Sequence, residues 1–212
     1  MARPKAGYHL KNGDKVPGVT TVLQGLGWNK GALMYWAWDQ GRNGKDFRET
    51  KDDAADLGTL VHTLIEAEMR GTPTPTIPLE MKEKAENGLL GFYEWRDAFK
   101  LESTGSEVAL VSEQYKYGGT IDYPCLLNGR RVILDLKTSK DVYADHRIQL
   151  AAYGALWNET HPDDPATGYH LLRVGKEDGG FAHYYWPSLT DEFEAFYHLA
   201  ELYRLKKAVE KR

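Results

Sequence analysis

The dipeptide Asn128-Gly129 lies between two runs of strand-forming residues, "KYGGTIDYPCLL" (116–127) and "RRVILDLKTS" (130–139). Asn-Gly supplies the two positive φ angles of a type I′ turn, so the stretch predicts a β-hairpin with a two-residue loop. Such a turn sets the pairing of everything behind it. Residue 127 opposes 130, 126 opposes 131, and Asp122 arrives opposite Asp135 in a non-hydrogen-bonded pair, where side chains lie closer. In the same register Thr120 faces Lys137, and Asp135 and Lys137 share a face because side chains alternate. Pro124 falls where this partner strand needs no N–H, so it does not veto the pairing.

That register sets a charge problem inside an apolar strand pair. Two carboxylates at about 5 Å repel by roughly 3 kcal/mol at an effective dielectric near 20. A good cross-strand pair returns only about 0.2–1 kcal/mol. A proton, a lysine or a divalent cation must offset the difference, and Lys137 supplies one positive charge next door. A hard cation with oxygen ligands, Mg²⁺ or Mn²⁺, fits the remaining gap best. The competing arrangement is a bulge that shifts the register and takes both aspartates to solvent. If the two are paired, an Asp135→Asn change should relieve the repulsion and raise stability without metal.

Around the hairpin, hydrophobic spacing predicts the other elements. Leu57, Val61, Leu64 and Ile65 mark a helix over 52–70 that stops at Gly71. A second helix is expected over 79–100, weakened or bent near Gly88. Strands follow at 107–113, 116–127 and 130–139, then a helix at 146–159 and strands at 168–174 and 180–187. An amphipathic helix over 188–208 closes the chain, with Ser188 as its N-cap. The proline-spaced stretches 71–78 and 159–168 read as loops. The expected fold is α/β or α+β, with a mixed central sheet flanked by helices.

The chain has 212 residues, 42% hydrophobic and 27% charged, which suits one domain with one sizeable core. No apolar run reaches membrane-spanning length and "MARPKAGYHL" has no signal-peptide core, so a cytoplasmic location is expected. A single cysteine, Cys125, excludes a disulfide framework or a cysteine-ligated zinc or iron–sulfur site within the chain. The net charge of −4 argues against coating nucleic acid by bulk charge. A local basic groove from Arg130, Arg131, Lys140 and Arg147 remains compatible with it, but solvated surface charge is the expected role of any one of them. Trp28, Tyr35, Trp36, Trp38 and Trp95 are expected to be mostly core, with stacking platforms for single-stranded bases as the other use.

Several short motifs occur in a familiar order. "GGTID" followed by "ILDLKTSK" resembles the PD-(D/E)xK nuclease signature in its RecB-type form. "GTLVHTLIE" upstream is similar to that group's helical histidine motif, and "QLAAY" downstream to its Q-x₃-Y motif. "VPGVTTVLQ" and "SEVAL" also resemble the group, most closely mitochondrial genome maintenance exonuclease and related phage exonucleases. The resemblance runs from about residue 17 to 157, most of the chain.

It implies a restriction-endonuclease-like core at about 105–187, a helical part at about 17–100 and a C-terminal helix at about 188–210, all in one nuclease domain. His62, Asp122 and Asp135 would bind Mg²⁺ or Mn²⁺, with the Leu136 backbone carbonyl. Lys137 would orient or help deprotonate the attacking water and stabilise the phosphate. Glu107 would support the site, and Gln149 and Tyr153 would steady it and contact DNA. The residues agree with these roles at two points. Glu66 follows His62 by four residues on the same helix side and could support it. Gln149 and Tyr153 share a helix face. The implied activity is exonucleolytic cleavage of single-stranded or end-exposed DNA in replication, recombination or repair, in a bacterial or phage-infected cell. An endonuclease, a flap nuclease or a non-catalytic nucleic-acid-binding module on the same fold are the alternatives.

Overall fold

The computed structural model describes residues 4–28, 30–103 and 105–211. The start of the N-terminal stretch, residues 1–3, lies outside them. Two short strands, β1 (Tyr8–His9) and β2 (Lys15–Val16), pair first, followed by helices α1 (Val19–Leu23) and α2 (Lys30–Arg42). Helix α3 (Phe47–Arg70) begins earlier than its hydrophobic spacing indicates, because Asp46 caps it by accepting from the Arg48 N–H. Its buried residues start only at Leu57, so the first turns carry no apolar signal. Gly71, at φ +62°, ends it as expected.

A 3₁₀ turn (Leu79–Met81) leads into α4 (Lys82–Phe99), which runs unbroken through Gly88. The glycine serves packing rather than bending: a Cβ there would stand 2.8 Å from Val61 Cγ1 of α3. Gly88→Ala should therefore separate the two helices and lower stability by about 1–3 kcal/mol, the usual cost of overpacking. Thermal melting checks this, and an unchanged midpoint would mean that the helices do not meet there.

The central sheet has the order β3-β6-β7-β8-β9, formed by Leu101–Ser103, Tyr123–Leu127, Arg130–Lys137, Tyr169–Val174 and Phe181–Trp186. Only β7 and β8 run parallel; the other neighbours are antiparallel. Helix α5 (Ala144–Thr160) makes the crossover between the parallel pair, and α6 (Thr190–Glu210) lies beside it. Ile133 of β7 and Leu171 of β8 pack with α1, α5 and α6 on one face. Val132, Leu134, Leu136 and Leu172 pack with α3 and α4 on the other. The fold is thus a mixed α+β sheet with helices on both faces.

Three expectations need correction. The stretch 116–127 is not one strand: it splits at Asp122 into β5 (Tyr117–Ile121) and β6. β5 leaves β7 and pairs with β4 (Val108–Ser112), so Thr120 opposes Ala109 rather than Lys137. Ser188 is not the cap of α6; Leu189 occupies that position, and the Ser188 hydroxyl bonds the Thr190 hydroxyl instead. The aromatic residues are mostly not core. Trp95 is fully buried, but Trp28, Tyr35 and Trp38 are 62%, 68% and 54% exposed. Among the described residues, no helix is long and apolar enough to cross a membrane.

Candidate active site at the split in the sheet

The Asn-Gly turn delivers the expected register. Asn128 and Gly129 have φ of +51° and +73°, and the ladder runs from Leu127↔Arg130 to Tyr123↔Leu134. It ends there, one step short of Asp122 and Asp135. Asp122 is the residue at which the chain changes partners. Its carbonyl accepts from the Glu107 N–H at 2.8 Å, and Glu107 holds a φ of +54° to reach it. Its side-chain Oδ2 accepts from the Leu136 N–H at 3.1 Å, beside Asp135 on β7. The two aspartates therefore do come together, across the end of the ladder rather than within it.

Lys137 occupies the space between them and α5. Its Nζ lies 2.6 Å from Asp135 Oδ2 and donates to Gln149 Oε1 at 3.1 Å. Gln149 Nε2 in turn donates to the Tyr153 hydroxyl at 2.8 Å. Asp135 is 1% exposed. The ammonium approaches it closely but off the line of a hydrogen bond, and Oδ1 receives no bond among the described residues. Charge attraction comes first in holding this pair, with the side-chain contact adding to it.

Burial pushes the Asp122 and Asp135 carboxyls up, against the downward pull of Lys137. Burial also works against the Lys137 ammonium, but Asp135 and then Asp122 outweigh it and raise its pKa. One lysine thus faces two carboxylates that desolvation disfavours.

His62, from α3, completes the near side. Its Nδ1 is 3.9 Å from Asp122 Oδ2, and it lies beside the Leu136 backbone. Burial, with the nearby Lys137 charge, lowers its pKa to about 4, so the imidazole is neutral near pH 7 and keeps a free lone pair. Glu66 is held by Arg70 Nη1 at 2.8 Å, and Arg70 Nη2 donates to the Ser106 carbonyl at 2.8 Å. This bridge, which no local sequence pattern announces, ties α3 to the turn that carries Glu107. Burial, with Asp122 adding, pushes the Glu107 carboxyl up to about 7.

His62, Glu66, Glu107 and Thr138 line a cleft of about 470 Å³ beside α3. Asp122, Asp135 and Lys137 are not among the residues that line it. Among the described residues no group of three or more His, Cys, Asp or Glu side chains is drawn together to hold a metal ion. The donor chemistry still fits a divalent cation: paired carboxylates, a neutral imidazole and a buried carboxylate oxygen with no hydrogen bond. A basic groove, which the net charge left open, is not assembled from Arg130, Arg131 and Arg147. Arg131 pairs with Asp164 and Arg147 with Glu192, and Arg130 stands at the far end of β7.

No family model matches the sequence, and no curated protein does. Among solved structures the chain is similar to the crystal structure of SSO0001, with 22% identity and a TM-score of 0.36 over 54% of each chain. It is also similar to a Eubacterium rectale protein provisionally described as an exonuclease, with 13% identity and a TM-score of 0.48. That likeness covers 71% of this chain and 65% of the other. The chain spans less than two thirds of each of those proteins, and likenesses this distant transfer neither a site nor an activity.

Proposed function

We propose that the chain is a single-domain, divalent-metal-dependent nuclease of the PD-(D/E)xK kind. It would hydrolyse phosphodiester bonds of single-stranded or end-exposed DNA as an exonuclease, in replication, recombination or repair. The observation that supports this most is the chain of contacts from Asp122 and Asp135 through Lys137 to Gln149 and Tyr153, beside a neutral His62 at a cleft wall. It joins residues from three of the sequence motifs that resemble that family.

Asp122, Asp135, the Leu136 carbonyl and His62 would hold Mg²⁺ or Mn²⁺, which when bound supplies Lewis acidity and an acidified water. The rest is done by the protein. Asp135 and Gln149 hold the Lys137 ammonium on two sides, so it is preorganised to stabilise charge on the phosphate oxygens as the transition state forms. Tyr153 fixes the rotamer of Gln149. Glu107 titrates near neutrality, which matches it to receive a proton. Trp28, Tyr35 and Trp38, exposed on and before α2, offer faces on which unpaired bases can stack.

A second reading, a nucleic-acid-binding module without catalysis, is favoured by the ligands not being drawn together. Incubation with 5′- and 3′-labelled single strands, duplex and circular DNA, with Mg²⁺, Mn²⁺ or EDTA, separates the two. Metal-dependent loss of linear but not circular DNA is expected. Cleavage of circles would make it an endonuclease, and binding without digestion would leave the module.

A further inference from the structure

Arg173 stands one strand away from Lys137. In the parallel β7–β8 ladder Lys137 is the partner of Arg173, Asp135 of Leu171 and Ile133 of Tyr169. Ile133, Leu171 and Tyr169 pack on the α5 side, and Leu172 and Val174 on the α3–α4 side. Alternation therefore sets Arg173 beside Lys137 on the α5 face, with about 4.8 Å between the two strands. Asp122 approaches β7 from the other flank. The Ile133 N–H points toward β8, where it donates to the Gly168 carbonyl, so the Leu136 N–H that Asp122 receives points away from β8. Across the sheet the order is thus Asp122, Lys137, Arg173.

Arg173 is poorly explained as a packing residue. Leu171, Leu172 and Val174 around it are fully buried, and its neighbour on β9 is Ala182. Two cations at facing positions on one side of a sheet destabilise each other. Asp135, the carboxylate on this face of β7, is drawn to Lys137. The Arg173 side chain makes no hydrogen bond or ion pair among the described residues. It is partly buried, yet none of its nitrogens is among the buried atoms left without a partner, so all three reach solvent. The stem is covered and the guanidinium is presented to water. A cation pair on one face, with one member unmatched and open to solvent, calls for an anion from outside the chain.

We propose that Arg173 is a DNA-binding residue whose guanidinium grips the backbone phosphate next to the one held at Lys137. This rests on the nuclease reading of Asp122, Asp135 and Lys137. It adds a second phosphate contact and so a direction for the strand, from Asp122 past Lys137 toward β8. A guanidinium fork takes two oxygens of one phosphate at once and fixes its orientation as well as its position. The contact carries no base preference. It is made alike in the ground state and the transition state, so it bears on KM more than on kcat.

The test is fluorescence anisotropy of labelled oligo(dT), and of a mixed-sequence strand of the same length, titrated with the full chain in EDTA over a salt series. Arg173→Ala should weaken both about tenfold, the worth of one charge-assisted contact. It should also make the slope of log affinity against log salt shallower by about 0.7, the counterion release of one phosphate on a single strand. Arg173→Lys should recover the slope, because the charge is kept, but not the whole affinity, because the fork is lost. In Mg²⁺, cleavage by Arg173→Ala should show KM raised more than kcat is lowered. Melting of both variants verifies folding. Wild-type affinity and slope in Arg173→Ala would overturn the proposal and leave Arg173 as a stem that covers the sheet. So would a loss of kcat with DNA affinity intact. A wild-type chain that binds no DNA would overturn it together with the nuclease reading. Cleavage by wild type, with Arg173→Ala indistinguishable from it, would overturn the proposal alone.

Discussion

Replacing Lys137 by alanine should lower DNA cleavage by about 10²–10³-fold, the usual loss when one preorganised donor to a developing oxyanion is removed. It should also destabilise the protein. Asp135 is buried, Lys137 lies 2.6 Å from it, and removing one member of a buried pair costs about 3–5 kcal/mol. The pH dependence identifies the cause. Burial already raises the Asp135 pKa, and loss of the ammonium, which lowers it, raises it further. A folded-state pKa above the unfolded value favours the protonated form. That contribution to stability is complete in acid and is lost as pH rises through the folded pKa. The deficit of Lys137→Ala relative to wild type should therefore be smallest near the ordinary aspartate range of about 4 and grow toward neutrality. Melting curves across pH, with single-turnover cleavage at neutral pH, measure both effects. Wild-type cleavage rates, or a deficit that does not change with pH, would remove Lys137 from the centre of the site.

Asp122→Asn and Asp135→Asn should shift stability in opposite directions in EDTA. Asp122 uses Oδ2 to accept from the Leu136 N–H, and an amide oxygen can do the same. Its charge raises the Asp135 carboxyl and its own is disfavoured by burial. Neutralising it should stabilise the protein by about 1 kcal/mol, because Lys137 already offsets most of the roughly 3 kcal/mol repulsion. Asp135→Asn instead strips the close ion pair from a buried ammonium and should cost about 3 kcal/mol. Hairpin pairing alone predicts a gain for Asp135→Asn; the lysine's choice of partner reverses it. Both variants should lose cleavage. Stabilisation by Asp135→Asn would mean that Lys137 pairs chiefly with Asp122.

What could be read from the residues was whatever a local rule determines. Asn128-Gly129 predicts a register, and every pair down to Tyr123↔Leu134 obeys it. Gln149 and Tyr153 share a helix face by spacing, and they do bond to each other. The break at Asp122 was not legible, because Tyr117–Ile121 continues the strand pattern, and only the tertiary pairing of β5 with β4 draws it away. Helix α2 was missed for a different reason: it buries no residue, so it has no apolar stripe to find. The Arg70 bridge from Glu66 to Ser106 and the His170–His183 pair depend on contacts between elements. The second of these would have followed from reading 168–187 as a hairpin in register.

Cation binding can be measured without choosing the right DNA substrate, and the nuclease reading depends on it. The measurement is the melting temperature across a Mn²⁺ titration for wild type, His62→Ala and Asp135→Asn. A ligand of the folded state alone stabilises by about 2.7 kcal/mol at a hundredfold excess over Kd. Wild type should show this rise, more with Mn²⁺ than with Mg²⁺ because an imidazole nitrogen suits the softer ion. His62→Ala should show a smaller Mn²⁺ shift, and Asp135→Asn none. Equal shifts in all three proteins, or no shift in wild type, would contradict a metal centre at Asp122, Asp135 and His62.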